Sequence, residues 1–252
     1  TRVHTFDNGL VLVTERVSGM QSAALRCMIP SGAVFEDIHN LGASSVCSEM
    51  LMRGAGELDS RQQADAFDRA GALRSIENGI RYMQPSVTTL GHRVDDALPM
   101  LMDIVRRPRM ADESFAPAQE LAMQGVASLA DDPQHRAALA ARERHLPAPY
   151  NRSTLGTAEG IASLTRDTLV SWWTHNTRPG GTVLSAAGDV DHDALVEKIG
   201  TACADWEGRV DMPSIQGPPP RGYAHLDDDS SQVQILIVHD GPSQGHDDAH
   251  LE

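Results

Sequence analysis

The stretch that most constrains the fold is ALRSIENGIRYMQPSVTT, residues 72–89. It reads as two extended arms around Asn78-Gly79, a dipeptide that takes positive φ easily and so favours a tight hairpin. The runs VLVTERV (11–17) and SAALRCMIP (22–30) lie upstream and are also strand-like. Several strands are therefore available before the midpoint of the chain, and they must find a layer to cover one face.

Helical periodicity supplies that layer. Residues 42–53 form an apolar stripe between glycines. A second helix opens at Ser60, whose side chain can cap it while Gln63 reaches back, and ends near Gly71. Val94, Leu98, Leu101 and Val105 recur at three- and four-residue spacing. Residues 115–130 and 133–146 continue the helical pattern, with Pro133 suited to a first helical position. Thr165 caps a helix through Trp173, residues 182–187 form a short strand, and Asp191 caps a last helix to Trp206. Strands and helices are both grouped and interleaved, which gives an α+β class.

A Pro-rich break, RVDMPSIQGPPPRG (209–222), has no periodicity and reads as a linker. After it, SSQVQILIVHD (230–240) reads as one more strand. The expected organisation is a complete domain over 1–208, a linker over 209–222 and the opening of a second, truncated domain over 223–252.

Composition excludes some partners. Among 252 residues the formal charge is −14 and Lys198 is the single lysine, which argues against nucleic acid, whose phosphates need a basic patch. Cys27, Cys47 and Cys203 are widely spaced with no CxxC, so they form neither a zinc ribbon nor a disulfide framework. No run approaches the ~18 apolar residues of a membrane-spanning helix, and no signal-peptide pattern opens the chain. Cytoplasm and periplasm are not distinguished. Trp172-Trp173 and the scattered methionines read as core rather than as a binding surface.

One motif misleads. Gly241-Pro-Ser243-Gln-Gly245 matches the GxSxG nucleophile elbow and follows a strand-like run. A serine hydrolase needs an acid and a histidine able to fold back on the serine. Asp247, Asp248 and His250 are too near in sequence to do so, and the motif reads as a turn.

The stretch LGASSVCSEMLMRGAG (41–56) raises the functional question, because it frames a helix around polar positions that carry no histidine. Four segments in order carry a resemblance. They are Phe6-Asp-Asn-Gly-Leu-Val-Leu-Val-Thr-Glu15, Leu41-Gly42 through Met50-Leu51-Met52-Arg53-Gly54, Pro149-Tyr150-Asn151-Arg152 to Leu155-Gly156, and Ala187-Gly188-Asp189-Val190. Together the chain resembles the pitrilysin, insulinase and mitochondrial processing peptidase (M16) family of zinc peptidases. The resemblance implies that family's metallohydrolase fold, shared with LuxS: a mixed, largely antiparallel sheet with helices packed on it.

It also implies a zinc site built from His-x-x-Glu-His on the helix and a distant Glu. Two histidines one turn apart grip one Zn²⁺, and the Glu deprotonates the bound water. Aligned on Met50-Leu51 and Gly54, the ligand positions are Ser45 and Glu49 and the base position is Ser48. Aligned on Asp131-Asp132-Pro133, the third ligand position is Gln124, 75 residues beyond Glu49. All four positions are altered, and no HxxEH or HExxH occurs elsewhere. His39, His135 and His145 are isolated. No zinc, catalytic residue or other cofactor is expected in this chain.

The resemblance then implies a role as a non-catalytic subunit that binds unfolded peptide. It would pair with an HxxEH-bearing subunit or with a second half of its own chain. The peptide would add as a strand along Ala72, Leu73, Arg74, Ser75, Ile76, Glu77 and Asn78, in the first arm of the hairpin. A structural scaffold of the respiratory core-protein type is the alternative, and an enzyme with an atypical zinc site is a further one.

Overall fold

Six strands form one sheet in the order β1-β2-β8-β3-β7-β6. They are β1 (Arg2–Thr5), β2 (Val11–Arg16), β3 (Ser22–Met28), β6 (Leu73–Asn78), β7 (Met83–Leu90) and β8 (Val183–Gly188). Only β2 and β8 pair in parallel; the other neighbours are antiparallel. The computed structural model describes residues 1–130, 132–227, 232–242 and 245–247. A two-stranded ribbon of β4 (Gly54–Ala55) and β5 (Leu58–Asp59) stands apart.

Alternation makes this sheet one-sided. Leu12 and Thr14 on β2, Ala23, Leu25 and Cys27 on β3, Met83, Pro85 and Val87 on β7, and Leu184 and Ala186 on β8 are buried. Their neighbours in sequence face the other way, as the period of two requires. On that open face Arg26 reaches Glu77 at 3.3 Å, and the Ser75 and Ser86 hydroxyls lie 2.8 Å apart.

The buried face is covered by helices α1 (Ala43–Leu51), α2 (Ser60–Arg69), α3 (Val94–Arg106), α4 (Asp112–Ala130), α7 (Arg166–Asn176) and α8 (His192–Ala202). Helices α5 (Pro133–His145) and α6 (Ala158–Ser163) complete the set among the described residues. The stripe in α3 is the one its periodicity predicts: Val94, Leu98, Leu101 and Val105 are buried, together with Ala97, Met102 and Ile104. Each of the Val, Leu, Ile and Met side chains contributes about 1.5–3 kcal/mol when fully buried. Trp173 is buried and Trp172 packs against the core, with their indole N–H groups donating to the Val105 and Phe35 carbonyls.

Several sequence expectations need correction. The cap of α2 is Asp59, not Ser60: its carboxylate accepts from Gln62 N at 2.8 Å, and Gln62 Oε1 accepts from Asp59 N at 3.0 Å. A capping box exists, but one residue earlier, because a carboxylate there also complements the helix dipole. The hairpin turn is not the two-residue kind. Asn78 pairs directly with Met83, and residues 79–82 form a four-residue loop closed by Gly79 N to Tyr82 O at 3.0 Å. The Gly79 carbonyl accepts from Ala33 N, so tertiary contact sets the loop. Helix α7 runs three residues beyond Trp173, and α8 stops at Ala202, short of Trp206.

The strand expected over 230–240 is not formed over its described residues, 232–240. Residues 232–240 carry no strand, and Val233, Ile235 and Ile237 are exposed. A strand needs a neighbour to bond to, and no described segment pairs with this one. The 209–222 stretch has neither helix nor regular strand, but it is tied to the folded part. Gln216 N donates to Ala148 O at 2.8 Å, and the Tyr150 hydroxyl donates to Pro213 O at 2.8 Å. Ser243, Asp248 and His250 of the rejected hydrolase motif lie outside the described residues.

Candidate functional site

Helix α1 is placed in part by a residue that no sequence motif marks. Glu36, in the loop before it, is 5% exposed, and its carboxylate sits at the helix N-terminus. It accepts from Gly42 N at 2.9 Å, from Ser44 N at 2.8 Å and from the Ser44 hydroxyl at 2.5 Å. These N–H groups have no partner within the helix, and a carboxylate there also meets the positive end of the dipole. Burial pushes the Glu36 pKa upward despite these bonds, which each act to lower it, as does the Arg152 charge.

Arg152 fixes the same loop from the other side. Its Nη1 donates to the carbonyls of Glu36 at 2.5 Å, Ala33 at 3.1 Å and Val34 at 3.3 Å. Desolvation lowers its pKa, and the nearby charges of Glu36 and Asp37 oppose that. The adjacent Gly156 lies against Gly42 backbone to backbone. A Cβ at Gly156 would stand 2.2 Å from the Gly42 Cα, and Gly156 has a φ of +78°. The segments 41–56 and 149–156 are thus two halves of one seat. The signal was in the sequence as a glycine in each segment, but their pairing was not.

On α1 itself, Val46, Cys47, Met50 and Leu51 are buried in the core, as the stripe predicts. Ser45 is 8% exposed, while Ser48 and Glu49 are half-buried. The Ser48 hydroxyl donates to Ser45 O at 2.7 Å, a bond within the helix. Gln124 lies on α4, which packs along α1. It is exposed, and its Nε2 donates to Glu120 Oε1 at 3.4 Å. Ala118 and Ala122 form the buried row of α4, and Gln124 is about 200° round the helix from Ala122. No hydrogen bond among the described residues joins Gln124 to Ser45, Ser48 or Glu49.

These residues do not fit zinc. Serine hydroxyls and a glutamine amide are poor donors beside imidazole and carboxylate, and Glu49 alone is one ligand where a catalytic site needs three. No group of three His, Cys, Asp or Glu among the described residues could hold a metal ion. His39 is exposed in the loop before α1, and His145 Nε2 lies 3.2 Å from Asp240 Oδ1, far in sequence from α1.

The candidate substrate strand is placed at the margin of the sheet. β6 is the last strand in the order, bonded to β7 on one side only. Leu73, Ser75 and Glu77 point to the open face. Arg74, Ile76 and Asn78 point to the helices and are half-buried, and Ala72 just before them is buried. Helix α1 packs alongside this strand. An exposed edge and the site helix are therefore neighbours.

Helix α1, with Ser45, Ser48 and Glu49, and the edge strand β6 beside it make up the candidate site. Residues 163–251 match the family model described as the Peptidase M16 inactive domain. An uncharacterized zinc protease of Rickettsia felis is 25% identical over 93% of this chain and 57% of its own length. The probable mitochondrial-processing peptidase subunit beta of Schizosaccharomyces pombe is 25% identical over 98% of the chain and 56% of its own. The crystal structure of a peptidase M16 inactive domain from Pseudomonas fluorescens superposes with a TM-score of 0.75 at 20% identity, covering 86% of this chain and 53% of that one. A protease from Helicobacter pylori gives 0.74 at 14% identity, covering 86% and 52%. The chain resembles the M16 peptidase family in sequence and in fold, and it spans just over half the length of these relatives. No helix among the described residues is long and apolar enough to cross a membrane.

Proposed function

We propose that this chain is a non-catalytic M16 component that binds extended peptide and acts with a zinc-bearing partner. That partner is either an HxxEH-bearing subunit or a further half of the same protein. The observation that carries the reading is the pairing of a metal-site helix lacking donors with an unpaired sheet edge beside it. An edge strand presents a row of N–H and C=O groups to any extended chain. Main-chain bonding of this kind tolerates many sequences, which suits an unfolded substrate. The names of the relatives, a zinc protease and a processing peptidase subunit, support the same assignment. The division into a domain over 1–208, a linker over 209–222 and a second domain beginning at 223 belongs to this proposal.

The test combines metal analysis with reconstitution. The purified chain is expected to hold no stoichiometric zinc, to cleave no peptide alone, and to bind a fluorescent unstructured peptide by anisotropy. Mixed with an HxxEH-bearing M16 subunit from the same host, it should raise that subunit's peptidase activity. Stoichiometric zinc with activity in the isolated chain would overturn the non-catalytic role. Failure to bind any extended peptide would overturn the substrate role and leave a scaffold.

A further inference from the structure

Buried polar atoms in folded proteins nearly always have partners, so each exception needs a reason. Two exceptions lie on β6, on the same face. Arg74 Nη1 is shielded from solvent and has no hydrogen-bond partner, and Asn78 Oδ1 is shielded and has no donor. The Asn78 amide is held in place, since its Nδ2 donates to Thr154 O at 2.7 Å. Between them Ile76 packs against the core. The Arg74 guanidinium lies over the Phe67 ring of α2, 5.1 Å from its centroid. Across the ladder its neighbour on β7 is Val87, which is apolar and buried. Asp68 is the charge that acts on it, through space rather than by an ion pair, and desolvation draws its pKa down.

A cation desolvated in this way has its opposite neighbour on one side only. In an antiparallel or parallel ladder, the residue opposite on the next strand projects from the same face within about 5 Å. On the open side of β6, that neighbour is supplied by whatever chain is added to the edge. We infer that Arg74 makes this edge selective for extended peptides that carry a carboxylate side chain at the position opposite it. The inference rests on the peptide-binding reading of β6 and adds the chemistry of the ligand. Glu77 on β6 takes no part, because it points to the other face and is engaged by Arg26.

The test uses paired peptides of about eight residues, long enough to span β6, that differ only in one Glu or Gln. Each pair is titrated against the chain by fluorescence anisotropy, with the position scanned along the peptide. At one position the Glu peptide is expected to bind about tenfold more tightly than its Gln counterpart, the size of one charge-assisted hydrogen bond. Arg74→Gln should bring the ratio of the two affinities to about one, and Arg74→Lys should keep part of the preference. Equal affinities on the unaltered chain, or a preference that survives in Arg74→Gln, would overturn the inference and leave edge binding intact. If neither peptide binds, the edge-binding reading falls and this inference falls with it.

Discussion

Replacing Glu36 with alanine removes the acceptor for three donors at the start of α1. The Ser44 hydroxyl can turn to another acceptor, but the backbone N–H groups of Gly42 and Ser44 cannot, and both residues are buried. Leaving a buried donor unpaired costs about 1–3 kcal/mol, so two give about 2–6 kcal/mol. Release of a desolvated carboxylate offsets part of this, and the expected net loss is about 3 kcal/mol. Glu36→Gln keeps one acceptor oxygen and should lose about 1–2 kcal/mol. The pH dependence separates the causes. Burial raises the folded-state pKa of Glu36, so its contribution is full below the ordinary glutamate value of about 4.3 and declines as pH rises through the higher folded value. The stability advantage of the unaltered chain over Glu36→Gln should therefore shrink as pH rises through that window. Urea unfolding followed by circular dichroism at a series of pH values measures both quantities. A loss below about 1 kcal/mol in Glu36→Ala, or an advantage over Glu36→Gln that grows with pH, would refute the argument.

Gly156→Ala forces a Cβ to 2.2 Å from the Gly42 Cα at a positive φ, and should cost at least about 3 kcal/mol or abolish folding, read by thermal melting and soluble yield. Cys27 and Cys47 are buried and burial pushes both thiols up, while Cys203 is pushed up to about 11. The native chain should therefore react negligibly with a thiol reagent near pH 8 and give all three thiols in denaturant, measured by absorbance. Writing the family's motif back as Ser45→His, Ser48→Glu and Glu49→His should yield only weak zinc binding by calorimetry, because the third position is Gln124, whose amide is a poor zinc donor. It should also destabilise the chain by about 1–3 kcal/mol, since Ser45 is nearly fully buried and a larger ring overpacks the site.

Much of the architecture was legible because local pattern and tertiary role coincide. The α3 stripe, the β3 alternation and the Pro133, Thr165 and Asp191 starts all appear where local chemistry puts them. The errors fall where a distant group decides. Asn78-Gly79 favours a two-residue turn, but the Gly79 carbonyl is recruited by Ala33 and the loop opens to four residues. Strand β1 is not legible because Arg2, Val3 and Thr5 are exposed and only His4 is half-buried, so no alternation shows. The 232–240 run is strand-like in composition yet has no described neighbour to pair with. Composition can prepare a strand, but only a partner completes it.

The site divides along the same line. The identities of Ser45, Ser48, Glu49 and Gln124 are sequence facts, and their inability to serve as zinc donors follows from side-chain chemistry alone. What sequence could not give is what holds the helix in place. Its position is held by Glu36 at the N-terminus, by Arg152 clasping the loop and by Gly42 against Gly156. None of these contacts involves a metal-ligand position. The residues that seat the helix are therefore separate from the aligned metal-site positions. A change at Ser45, Ser48, Glu49 or Gln124 leaves that seat and the neighbouring edge of β6 in place, and the proposed peptide-binding role needs only these.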